Sequence, residues 1–126
     1  MRFEHVALNV TEPKRMADWY AEHCGLSAVR SMDVAPFTHF MADETGRVIL
    51  ELYSNPKASI PDYASRHPLE FHIALAVADA ETDKRRLIEA EATLFEESNT
   101  ADGSHLVMLR DPFGVPLQLC QRTQPF

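Results

Sequence analysis

Cysteine is scarce: 126 residues hold two, Cys24 and Cys120. That is too few for a disulfide framework, and free thiols are expected in a reducing compartment. Glycine is rarer than proline, four against eight, which excludes collagen-like and low-complexity classes. No apolar run exceeds a handful of residues, so none approaches the roughly 20 that a membrane-spanning helix needs. The N-terminus shows no basic segment followed by an apolar one, and a cytoplasmic location is expected. Positive charge is in deficit as well. Twelve Lys and Arg against nineteen Asp and Glu give −7, and without a basic cluster the chain is repelled by phosphate backbones and anionic lipid, so neither nucleic acid nor membrane is an expected partner. With 45% hydrophobic and 25% charged residues, what remains is a small globular protein with enough chain for one buried core.

The chain is written twice. Phe3-Glu4-His5-Val6-Ala7-Leu8 aligns with Glu70-Phe71-His72-Ile73-Ala74-Leu75 so that the histidines match, 72 − 5 = 67. The same offset lays Leu50-Glu51-Leu52 over Leu117-Gln118-Leu119, since 118 − 51 = 67. Just ahead of these, Asp43-Glu44-Thr45-Gly46 and Asp111-Pro112-Phe113-Gly114 carry the Asp-to-Gly chemistry of a tight turn at an offset of 68. In the first copy a strand from His5 to Val10 leads to a helix capped by Thr11, with Pro13 in its first turn, a buried stripe of Met16, Trp19, Tyr20 and Cys24, and Gly25 as its stop. Extended runs near 27–33, 37–42 and 47–53 follow. In the second copy the strand is Phe71 to Val77, the cap is Asp79, the helix anchors are Leu87 and Ile88, and strands lie near 93–97, 105–110 and 116–121. The reading is an α+β domain over 1–126 made of two tandem βαβββ modules, 1–54 and 69–126, joined by a proline-bearing linker, 55–68.

Side chains alternate faces along a strand, so parity sorts each segment. Val6, Leu8 and Val10 oppose His5, Ala7 and Asn9; Phe71, Ile73 and Leu75 oppose His72 and Ala74; Leu50 and Leu52 oppose Glu51 and Tyr53; Leu117 and Leu119 oppose Gln118. His5, Glu51, His72 and Gln118 therefore all lie opposite an apolar set, at matched repeat positions. Two imidazoles, a carboxylate and an amide oxygen form a donor set for one divalent ion, Zn, Ni, Co, Mn or Fe(II). His39, Tyr53, His105 and Arg110 are candidate substrate contacts. His23 and His67 are expected at the surface.

These blocks, with Trp19-Tyr20, Gly25-Leu26 and the stretch from Asp111 to Leu119, resemble the vicinal oxygen chelate superfamily, which includes glyoxalase I, bleomycin- and fosfomycin-resistance proteins and ring-cleaving dioxygenases. Phe113 and Val115 depart from that family's usual turn. The resemblance implies a curved mixed sheet around a central cavity with helices outside, a metal held by His5, Glu51, His72 and Gln118, and a homodimer. It also implies a glyoxalase-like lyase or isomerase that acts on a small substrate chelated through vicinal oxygens and stabilises an enediolate-type intermediate. Family enzymes of the glyoxalase I kind usually carry Glu where Gln118 stands. An amide has no useful basicity, which leaves Glu51 as metal ligand and base together. Two alternatives stay open: a facial triad of two His and one carboxylate serving dioxygenase chemistry, and a metal-free protein whose cavity binds an antibiotic or other small molecule.

Overall fold

In the computed structural model, which describes all 126 residues, the chain forms two units, Met1–Pro61 and Asp62–Phe126. In the first, β1 (Val6–Asn9) is followed by α1 (Pro13–His23), then β2 (Ser27–Ser31), β3 (His39–Ala42) and β4 (Val48–Tyr53). The sheet order is β1-β4-β3-β2, with β1 parallel to β4 and the other pairs antiparallel. The second unit begins with a single 3-10 turn, Tyr63–Ser65, and repeats the plan with β5 (Ile73–Ala76), α2 (Ala80–Glu89), β6 (Thr93–Asn99), β7 (His105–Arg110) and β8 (Pro116–Gln121). Its sheet order is β5-β8-β7-β6. The expectation of an α+β chain with two βαβββ modules holds, and each module forms its own four-stranded mixed sheet.

The sequence offset is conserved in the pairing register. Val6 pairs with Leu50 and Ile73 with Leu117, each 67 residues on. Both outer pairs also shift register at equivalent places, between Ala28 and Arg30 and between Leu94 and Glu96. α1 lies against β2, β3 and β4, and α2 against β6, β7 and β8. Leu8, Met41, Leu50 and Leu52 are buried in one unit together with Met16 and Tyr20 of its helix, and Val107, Leu109, Leu117 and Leu119 are buried in the other together with Leu87 of its helix. Burial of a side chain of this size contributes roughly 1.5–3 kcal/mol, so these rows hold each sheet to its helix.

Details of the expected elements change. Thr11 does not cap α1. Pro13 occupies the first helical position, which makes Glu12 the capping residue, and Glu12 forms no side-chain cap hydrogen bond. Asp79 does cap α2, accepting from Thr82 N at 3.0 Å. Leu87 is buried but Ile88 is 41% exposed, because adjacent helical positions point about 100° apart. Both cysteines are free thiols. Both Asp-to-Gly turns form as expected: Asp43 accepts from Thr45 N at 2.9 Å, Asp111 from Phe113 N and Val115 N at 2.9 Å, and Gly46 and Gly114 adopt positive φ. No helix is long and apolar enough to cross a membrane.

Candidate functional site

Glu51 sits on β4, the inner strand between β1 and β3, flanked in register by Ala7 and Phe40. His5 lies two residues before Ala7, so it shares that face and reaches Glu51 diagonally. His5 Nε2 stands 3.0 Å from Glu51 Oε2, with the side chains 28% and 19% exposed. The other ring nitrogen, Nδ1, is held against the Glu4 carboxylate, and the edge of the ring meets Phe40 at 5.6 Å. A neutral imidazole has one N–H and one lone pair. Donating Nδ1–H to Glu4 aims the Nε2 lone pair at a carboxylate oxygen, an arrangement that needs a cation or a second proton between them.

A divalent cation fits this pair. Two ligands each about 2.0–2.2 Å from an ion and at about a right angle lie about 3 Å apart, which is the separation found here. The carboxylate on Nδ1 is the outer partner that metal-bound histidines ordinarily have.

The second unit repeats the geometry with different chemistry. Gln118 lies on the inner strand β8 between Ala74 and Met108, and His72 precedes Ala74 by two. His72 Nδ1 donates to the Pro68 carbonyl at 2.9 Å, which leaves the Nε2 lone pair available. Gln118 Oε1 accepts from the Cys120 thiol at 3.3 Å. Burial pushes the Cys120 thiol up from its ordinary range, against a smaller opposing effect of Arg122, so it stays a protonated donor. No group of three or more His, Cys, Asp or Glu gathers within either unit. Each unit offers two donors.

The remaining candidates divide by face. Tyr53 shares the Glu51 face and pairs with Asn9. His39 pairs with Leu52 and therefore lies on the opposite, core face, buried and donating Nδ1–H to the Phe37 carbonyl at 2.8 Å. His105, level with Gln121, faces away from Gln118 and holds Glu97 at 2.6 Å. Lys84 from α2 meets the same carboxylate at 2.8 Å, making a clasp between helix and sheet. Arg110, level with Pro116, shares the Gln118 face, but its guanidinium is taken up by main-chain carbonyls of Tyr63, Gly114 and Arg66 at 2.9, 3.2 and 2.6 Å.

Two residues on the donor faces were not anticipated. Register places Arg30 beside Phe40, two strands from Glu51, and Glu96 beside Met108, two strands from Gln118. Both follow an irregularity in an edge strand, which resets parity; only the bulge, invisible in the residues themselves, assigns their face.

The fold has solved relatives. An antibiotic binding protein, TnmS3 from Streptomyces sp. CB03234, is 20% identical and superposes with a TM-score of 0.73 over 98% of this chain and 97% of its own. A mutant glyoxalase I from Zea mays is 22% identical, with a TM-score of 0.74 over 98% of this chain and 46% of its own. A lactoylglutathione lyase from Agrobacterium tumefaciens is 18% identical, with a TM-score of 0.66 over 95% and 92%. Such identities establish likeness of fold. No curated protein is a significant sequence match. The duplicated βαβββ plan, the paired His and Glu or Gln at one register, and a family model matching residues 2–119 agree: the chain belongs to the Glyoxalase/Bleomycin resistance protein/Dioxygenase superfamily.

Proposed function

We propose that the chain is a metal-dependent, glyoxalase-like enzyme acting on a small substrate with two adjacent oxygens. His5, Glu51, His72 and Gln118 would together hold one divalent ion. The observation that carries this reading is His5 Nε2 facing Glu51 Oε2 at 3.0 Å while Nδ1 is engaged by Glu4. A bound ion would supply Lewis acidity, polarising the substrate oxygens and stabilising negative charge that develops on them.

The residues divide the remaining work. Glu51 is the carboxylate among the four, so a proton leaving a substrate carbon is taken at a Glu51 carboxylate oxygen; Gln118 offers an oxygen donor and cannot take the proton. General-base assistance of this kind contributes about 10²–10⁴-fold. His5 and His72, each tied at Nδ1, keep Nε2 aimed. Phe40 and Met108, beside Glu51 and Gln118, give the two donor faces apolar surface that limits water.

Each unit supplies two donors, and we further propose a homodimer in which each site draws one unit from each subunit. A second reading, a small-molecule binding protein, is favoured by Gln118: an amide in place of a base suits holding a ligand better than turning it over. Metal analysis of untagged protein purified without chelator separates the two. About one zinc, nickel, cobalt, manganese or iron per site supports the enzyme, and chains free of metal that also fail to take up added Zn²⁺ support the binding protein.

A further inference from the structure

Arg110 resembles a substrate-binding cation in the sequence, and the structure gives it other partners. Its guanidinium spans from the end of β7 to the segment 62–68, donating to the Tyr63 and Arg66 carbonyls at 2.9 and 2.6 Å. The same segment is seated against the β7–β8 turn. A Cβ on Gly114 would lie 2.9 Å from Ala64 Cβ, so the chain passes there only because residue 114 has no side chain. At its far end Pro68 is fully buried, and the Pro68 carbonyl receives His72 Nδ1–H at 2.9 Å. The His67 ring meets Phe95 edge-on at 5.5 Å, and the Arg110 guanidinium lies over that same Phe95 at 5.4 Å.

The two histidines are held by different kinds of partner. His5 Nδ1 is held by Glu4, a neighbouring side chain that is 74% exposed, whereas His72 is held by the main-chain carbonyl of a buried proline, two residues after the Arg66 carbonyl that Arg110 clamps. A side chain in water loses rotamer freedom to make such a contact; a fixed carbonyl has already lost it.

We propose that Arg110 is a positioning residue for His72. By clamping the segment 62–68 through Tyr63 and Arg66, it fixes the Pro68 carbonyl, which selects the Nδ1–H tautomer of His72 and leaves the Nε2 lone pair as a preset donor. As a contribution to metal binding, this rests on the reading of His72 as a ligand given above; the effect on the ring itself does not.

The test uses metal-free protein with ¹⁵N-labelled histidine, comparing wild type with Arg110→Met and Arg110→Lys. Met keeps an apolar stem over Phe95 and removes the donors. Long-range proton–nitrogen correlation at neutral pH is expected to show His72 of wild type protonated at Nδ1, Arg110→Met with the Nε2–H form mixed in, and Arg110→Lys in between, with His39 and His105 signals unmoved. Should Arg110→Met not fold, Arg110→Lys against wild type decides. A His72 ring that carries its proton at Nε2 in wild type, or keeps the Nδ1–H form unchanged in the folded variants, overturns the proposal. Titration with Zn²⁺ alone then separates the two claims. A loss of about 10–100-fold in Arg110→Met is expected. A wild type without Zn²⁺ affinity removes the metal reading while the tautomer result still decides the positioning role.

Discussion

Glu51 and Gln118 occupy one register position in two copies of the same module, and the difference between a carboxylate and an amide separates the roles proposed for them. If Glu51 both binds metal and takes the proton, Glu51→Gln keeps an oxygen donor and loses the proton acceptor. Turnover should fall at least about 10²-fold while part of the Zn²⁺ affinity survives, measured as kcat beside a Zn²⁺ titration. Gln118→Glu should raise proton-transfer activity on 2-oxoaldehyde hemithioacetals. Full activity in metal-loaded Glu51→Gln would falsify the assignment of the base, and inertness of both wild type and Gln118→Glu would turn the balance toward ligand binding. The matched positions of the four donors were legible because offset and parity are properties of the chain alone. The faces of His39 and His105 were not. They depend on which residue of a neighbouring antiparallel strand stands opposite, Leu52 for one and Gln121 for the other, and a turn of unknown length sets that. The main-chain partners of Arg110, a candidate substrate contact, were hidden for a related reason, since Tyr63 and Arg66 are 47 and 44 residues distant in sequence.

Between elements, the second module is held by two devices with separate signatures. The clasp of α2 on β6 joins Lys84, Glu97 and His105. Hydrogen bonds from Lys84 and then His105 hold the Glu97 carboxyl below its ordinary range. A carboxylate with a lowered folded pKa stabilises the fold above its unfolded value, about 4.3, and that contribution is lost as the pH falls through the folded value. Thermal unfolding of wild type should therefore lose midpoint temperature below about pH 4.3 more steeply than Glu97→Gln; parallel curves for the two would show that the clasp adds nothing. The second device is the turn at Gly114, where φ is +86° and Ala64 closes over the bare Cα. Gly114→Ala should cost roughly 1–3 kcal/mol in urea unfolding from backbone strain, with the crowding of Ala64 adding to it, whereas Gly46→Ala, with positive φ but open space around it, should cost less. The turn glycines were plain in the sequence; that one of them also seats the 62–68 segment was not, because nothing local marks Ala64 as its neighbour.

For the whole molecule, the proposed homodimer makes a prediction about mass. Light scattering at micromolar concentration should give twice the chain mass of 14.3 kDa, and a monomer would exclude any site shared between subunits. Sharing itself can be read by mixing two disabled chains. His5→Ala damages the first module and His72→Ala the second. In a dimer whose sites each take one module from either subunit, a mixed dimer holds one site with both lesions and one with none. Random exchange of equal amounts then restores about one quarter of the wild-type sites, visible as tight Zn²⁺ uptake that neither variant shows alone. If both modules of a site come from the same chain, every site in the mixture carries one lesion, and uptake after exchange stays at the level of the separate variants.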